Sequence, residues 1–113
     1  MGKTLGDFEQ MILFALVALG EDAYGASIRR EIVERTGREV SAGVVYTVLD
    51  RLERNGLVVS RVGEPTAERG GRRKKHYQLR ADGAQRLRET RERMARMEDG
   101  LLDELTRLAE EGA

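Results

Sequence analysis

The stretch Ser41–Asn55, SAGVVYTVLDRLERN, decides how the rest of the chain is read. Val45, Val48, Leu49 and Leu52 stand three and four apart, so on a helical repeat they form one narrow apolar stripe. Ser41 is placed to cap the helix, because its side-chain oxygen can accept from a free N–H of the first turn. After that cap the helix has about 14 residues and a length of roughly 21 Å. Gly43, Tyr46, Thr47, Asp50, Arg51 and Arg54 fall mostly off the stripe. The leading end of this outer face is small, polar or aromatic, and its later turns are charged. Such a helix is either an ordinary amphipathic surface helix or one shaped to enter a DNA major groove. Its surroundings decide between the two.

Upstream, Leu5, Phe8, Ile12, Ala15, Leu16 and Leu19 repeat at helical spacing and give a first helix over about Asp7–Leu19. Asp7 followed by Gln10 has the spacing of a capping box, and Gly20 is a stop. Tyr24, Ile28 and Ile32 give a second helix, to about Thr36, ended by Gly37. Gly25, in its first turn, is a place where a neighbouring helix could come close.

Downstream, Asn55-Gly56 terminates the third helix and the period changes. LVVSRV from Leu57 and the run from Lys75 to Leu79 are rich in β-branched or aromatic residues and read as two strands. Between them lies GEPTAERGGRRK, with the only proline and a Gly-Gly pair, so the strands form a hairpin with a long tip. A lone hairpin must pack on helices to persist. A single last helix is expected over about Asp82–Leu108, interrupted by Gly100 at a cost of roughly 1 kcal/mol relative to alanine. Leu87, Met94, Leu101 and Leu108 recur in it every seven residues, with Met97, Leu102 and Leu105 beside them. That recurrence suggests a seam for a partner helix. The expected fold class is mainly α with a small β-hairpin, an α+β winged helix-turn-helix over residues 1–80. Residues 81–113 form a long C-terminal dimerisation helix.

Bulk properties narrow the function classes. The length of 113 residues suits one small domain, and the absence of cysteine excludes disulfides and thiolate metal sites. No apolar run approaches the ~20 residues of a membrane span, and Met11–Leu19 lacks the flanks of a signal peptide. A cytoplasmic location and no membrane partner are therefore expected. Net charge is zero, but residues 61–80 hold seven Lys/Arg against two Asp/Glu, while both flanks are slightly acidic. A local basic field can recruit a polyanion to a neutral molecule.

That basic segment falls on the hairpin tip, at Arg69, Arg72, Arg73, Lys74 and Lys75, with Gly70 and Gly71 to let the backbone approach a phosphate. Arg61 and Arg80 extend it. Three helices followed by a hairpin is the winged-helix order, with the third helix in the major groove and the wing along the phosphates. The DNA-facing residues on the third helix are then Ser41, Ala42, Gly43, Val44, Tyr46, Thr47 and Arg51. Tyr46 is expected to reach a phosphate by its hydroxyl.

Three segments carry a resemblance: LGDFEQMILFALVALGEDAYGASIRREI, SAGVVYTVLDRLERNGLV and GGRRKKHYQL. Together they resemble the PadR family of bacterial transcriptional regulators over nearly the whole chain. The most specific parts are VYTVLDRLERNGLV and the upstream Ala23-Tyr24-Gly25. The resemblance implies a homodimeric repressor or regulator that binds palindromic operator DNA and dimerises through its C-terminal helix. It places Ser41, Gly43, Tyr46 and Thr47 at the DNA-facing start of the recognition helix and Arg72, Arg73 and Lys74 on the wing. The family often has a proline after the recognition-helix tyrosine, where this chain has Thr47. With a single C-terminal helix the chain looks like a short-type member. A small-molecule effector is left unidentified, and Phe8, Phe14, Met94 and Met97 read as packing residues before they read as a pocket.

Enzyme chemistry finds little support. His76 is the only histidine, and a lone histidine in a strand is far more often structural than catalytic. Ser41 has no neighbouring base, and GGRRKK lacks the phosphate-loop spacing. No metal or other cofactor is expected. The other class kept open is a winged-helix protein-interaction module.

Overall fold

The computed structural model describes residues 4–63 and 74–112. Helix α1 spans Asp7–Leu19, α2 Gly25–Thr36 and α3 Ala42–Arg54, with one 3-10 turn at Gly20–Asp22. Strands β1 (Val58–Val62) and β2 (Lys75–Leu79) pair antiparallel, Val58 opposite Leu79 and Val62 opposite Lys75. Helices α4 (Ala81–Glu98) and α5 (Leu102–Glu111) follow.

The cap of α1 lies one residue earlier than the Asp7–Gln10 spacing suggests. Gly6 is extended, and its N–H donates to Glu9 Oε1 at 2.8 Å. A glutamate at the third helical position reaches back to the cap better than a glutamine one residue on. Asp7 turns instead to Arg38, 3.2 Å away. In α2 the Tyr24 N–H donates to Ser27 Oγ, and that hydroxyl donates to the Asp22 carbonyl at 2.6 Å. Gly37, at φ 73°, closes α2 with its N–H on the Val33 carbonyl. Arg29 Nε then donates to the Val40 carbonyl at 2.6 Å and fixes the turn into α3.

The core lies where α1, α2 and α3 meet. Ile12, Leu13, Ile28, Val45, Leu49 and Leu52 are fully buried in it. Truncating such a residue costs about 2–5 kcal/mol, so the stripe of α3 is a principal anchor of the fold. The hairpin covers this core with Leu57, Val58 and Tyr77. It is also tied to the start of α2: the Tyr77 N–H donates to the Ala23 carbonyl at 2.8 Å, and Tyr24 forms a bridge with His76.

Burial, with Asp50 and Glu53 nearby, pushes the Tyr77 hydroxyl up to about 12. A folded-state pKa above the unfolded one favours folding below the unfolded value, near 10. That contribution is lost as pH rises from there through 12. The Tm of the protein should therefore fall more steeply between pH 10 and 12 than that of Tyr77→Phe, measured side by side by thermal melts. Parallel curves would contradict this.

At the C-terminal end the expectation of a single helix is corrected. Gly83, Leu87 and Thr90 bury one face of α4 against the body, and beyond Thr90 the helix leaves it. Asp99 then turns extended, Gly100 adopts φ 76° and α5 begins after Leu101. With no packing on this part of the protomer to hold the helix straight, the local preference of glycine for the left-handed region decides. The radius of gyration is 17.0 Å, against about 13 Å for a compact chain of this length. The projecting helices account for the excess.

Candidate nucleic-acid interface

The outer face of α3 is built as its sequence requires. Ser41 Oγ accepts from the Val44 N–H at 3.2 Å, so the cap is formed. Val45, Val48, Leu49 and Leu52 point into the core, which leaves Ser41, Ala42, Gly43, Val44, Tyr46 and Thr47 exposed on the first two turns. Nothing lies within 4 Å of where a Gly43 side chain would begin. That turn therefore presents a low, open surface to whatever docks there. The Thr47 hydroxyl donates to the Gly43 carbonyl at 2.9 Å, leaving its methyl and an oxygen lone pair outward.

Tyr46 lies across the start of α2. A Cβ added to Gly25 would stand 2.1 Å from the Tyr46 hydroxyl oxygen. Gly25 is thus what lets the Tyr46 ring rest over that turn, a more specific role than helix approach in general. An open groove of about 560 Å³ runs beside it, lined by Arg29, Arg30, Ser41 and Tyr46 among others. Gly25→Ala should leave the fold intact, because alanine suits a helix and the displaced atom ends an exposed, rotatable side chain. It should nevertheless weaken any DNA binding that uses Tyr46 about tenfold by moving its ring (a tenfold change is 1.4 kcal/mol). In a titration, Gly25→Ala/Tyr46→Ala should then bind no worse than Tyr46→Ala alone; an additive loss would refute the coupling.

Arg51 stands apart from this end, its Nε 3.3 Å from Glu9 Oε2 of α1. At the root of the wing, Lys74 is exposed with its Nζ 4.2 Å from the centre of the Tyr24 ring. Lys75 Nζ lies 3.9 Å from Glu53 and 5.7 Å from the centre of the Tyr77 ring. Arg69, Arg72 and Arg73, with Gly70 and Gly71, lie outside the described residues. Arg61 is exposed on β1, and Arg80 is the N-cap of α4.

The seam residues divide. Leu87 belongs to the protomer's own core, whereas Met94, Met97, Leu101, Leu105 and Leu108 are all at least half exposed. The heptad spacing alone does not separate a face turned to the chain's own body from one turned to a partner. Phe8 packs at the edge of the core under the Arg38 guanidinium. Phe14 lines a separate groove with Met11, Val17 and Ile32. Among the described residues no helix is long and apolar enough to cross a membrane, and no acidic, histidine or cysteine group could hold a metal ion.

Comparison with known proteins gives a consistent answer. Residues 13–89 match the Transcriptional regulator PadR-like family. A PadR family transcription regulator from Clostridium difficile R20291 is similar in structure at a TM-score of 0.70 and 24% identity, over 89% of this chain and 99% of that one. A PadR family regulator from Eggerthella lenta shows 26% identity and a TM-score of 0.64, over 85% and 81% of the two chains. Bacillus subtilis PadR, solved in complex with operator DNA, shows 26% identity and a TM-score of 0.61; 73% of this chain aligns with 45% of that one. No curated protein matches. The family model covers most of α1 and all of α2, α3 and the hairpin, and runs on into α4, so the chain belongs to the PadR-like family, whose members are transcriptional regulators and not enzymes.

Proposed function

We propose that the protein is a sequence-specific DNA-binding repressor that works as a homodimer on a palindromic operator in the cytoplasm. Each protomer inserts the first two turns of α3 into the major groove, and the basic wing lies along the backbone. The observation that carries this reading is the pairing of an exposed, small-residue leading end on α3 with a fully buried stripe behind it. A reading head of that kind is rigidly backed yet open in front. The Bacillus subtilis relative, solved with operator DNA, supports the same use of the fold.

Ser41, Ala42, Gly43 and Val44 meet base edges and Thr47 a base or phosphate, while Tyr46 gives its hydroxyl to a phosphate. Lys74 and Lys75, with Arg69, Arg72 and Arg73, neutralise backbone charge. The exposed leucines and methionines of α4 and α5 bury against a second copy. This places the two recognition helices about one helical turn of DNA apart. Residues 1–80 then act as the reading domain and 81–113 as the dimerising arm.

A fluorescence-anisotropy titration against duplexes from candidate promoters, at about 150 mM salt, tests the reading. One or a few duplexes should bind at least about a thousandfold tighter than the rest. Equal binding to all of them, or none, would favour the protein-interaction module instead. The exposed apolar face of α5 is the feature that keeps that alternative in view. Arg72→Ala/Arg73→Ala should weaken every duplex alike and flatten the slope of log affinity against log salt by about 1.8. An unchanged slope would remove the wing from the contact.

A further inference from the structure

A second cluster of polar and cationic groups lies beside the recognition helix, and two of its members, Tyr24 and Arg30, are left unused by the reading above. Tyr24 is at its centre. Its backbone bridges to His76 of β2, and the two rings meet edge to face at 5.7 Å. The Lys74 ammonium sits over its face at 4.2 Å. Arg30, one and a half turns along α2, is exposed and lines the same groove as Tyr46. On the other side of Gly25, the Tyr46 hydroxyl reaches in from α3. Among the described residues, neither Arg30 nor Lys74 is paired with a carboxylate. Two cations and two tyrosines, from α2 and its cap, from α3 and from the lead-in to β2, are thus gathered around the start of α2.

Like charges gathered without a counter-anion repel one another and are stabilised when an anion is added. Here the anion has to be one that α3 can bring with it. A phosphodiester fits: a guanidinium and an ammonium neutralise it, and a tyrosine hydroxyl donates to a free oxygen.

We infer that Tyr24 and Arg30, together with Lys74 at the root of the wing, form a further backbone-phosphate site, gripping the strand that flanks the groove entered by α3. This deepens the DNA-binding reading and rests on it. The lowered pKa of the Tyr24 hydroxyl, caused first by Arg30 and then by Lys74, is consistent with a strongly positive spot. The Tyr24–His76 bridge gives the site a further consequence. It holds the root of the wing at a fixed distance from α2, so wing and helix meet the backbone as one surface.

The test compares the intact protein with Arg30→Ala and Tyr24→Phe. The probes are the tightest duplex selected from a random library and a scrambled duplex, titrated from 50 to 200 mM salt. Arg30 is exposed and phenylalanine keeps the Tyr24 ring, so both variants should melt like the parent. Arg30→Ala should bind both duplexes about tenfold more weakly, with a salt slope flatter by about 0.9. Tyr24→Phe should lose about threefold on both, with the slope unchanged, since a neutral donor displaces no counterion. If the parent binds and both variants match it in affinity and slope, this site is refuted while the DNA-binding reading stands. If the parent binds neither duplex even at 50 mM salt, the DNA-binding reading falls and this inference with it.

Discussion

Replacing Gly83 with valine should destabilise the protein by about 3 kcal/mol, at the upper end of what forced overpacking costs. For a domain of this size that is a fall in Tm of roughly 12–20 °C. Gly83 lies buried in the first turn of α4, and a Cβ there would stand 2.3 Å from the Leu57 carbonyl oxygen and 2.8 Å from Leu79 Cδ1. The first of these is backbone at the entrance to β1, and it already accepts the Arg80 N–H at 3.0 Å. It cannot swing aside as a side-chain tip does. Either α4 lifts off the hairpin, or the hairpin moves off the core it covers. Ala84→Val, one residue on and exposed, puts the same side chain on the helix without the clash. It should cost under about 1 kcal/mol. Equal melting of the two valine variants would show that α4 does not dock where the structure puts it.

The second large effect concerns assembly. Leu101→Glu/Leu105→Glu should turn the proposed homodimer into a monomer, read by sedimentation velocity. It should also weaken operator binding by about 10²–10⁴-fold, the usual gain from linking two binding modules. Both leucines are more than half exposed in the protomer, so the change costs the isolated fold little. A carboxylate buried opposite its own symmetry mate, however, is strongly unfavourable. The melting curve of the monomer should still show one cooperative transition, because the core formed by α1, α2, α3 and the hairpin does not use these residues. A variant that sediments as a dimer would remove the α4–α5 seam from the assembly.

Much of the framework of the candidate site was legible because its signals are local. The stripe of α3 and its Ser41 cap each depend on residues within a turn or two of one another, and the structure places them as the spacing requires. The same holds for the end of α2 at Gly37 and for both strands. What the sequence hid depends on approaches between distant segments. Gly83 faces Leu57, Tyr24 meets His76, and Gly25 makes room for Tyr46; periodicity carries no trace of any of these pairs. Leu87 fits the heptad as well as Leu101 does, yet it packs inward, because one helical face serves the body first and the exterior later. The break at Gly100 was visible as a weak point. Whether such a glycine is carried through a helix or ends it turns on tertiary packing, which that segment lacks within the protomer. The Ala23-Tyr24-Gly25 element stands out in sequence by its family resemblance, by the place of Tyr24 in a helical repeat and by the room Gly25 leaves, but its contact with His76 depends on β2 lying against it.

The central claim is that two copies of α3 read two symmetric half-sites. Several rounds of selection from a random duplex library, followed by sequencing of the bound pool, address it most directly. The account predicts one enriched motif, an inverted repeat whose half-sites are centred about 10 base pairs apart. A pool that stays random, or a motif with a single half-site and no dyad, would contradict it.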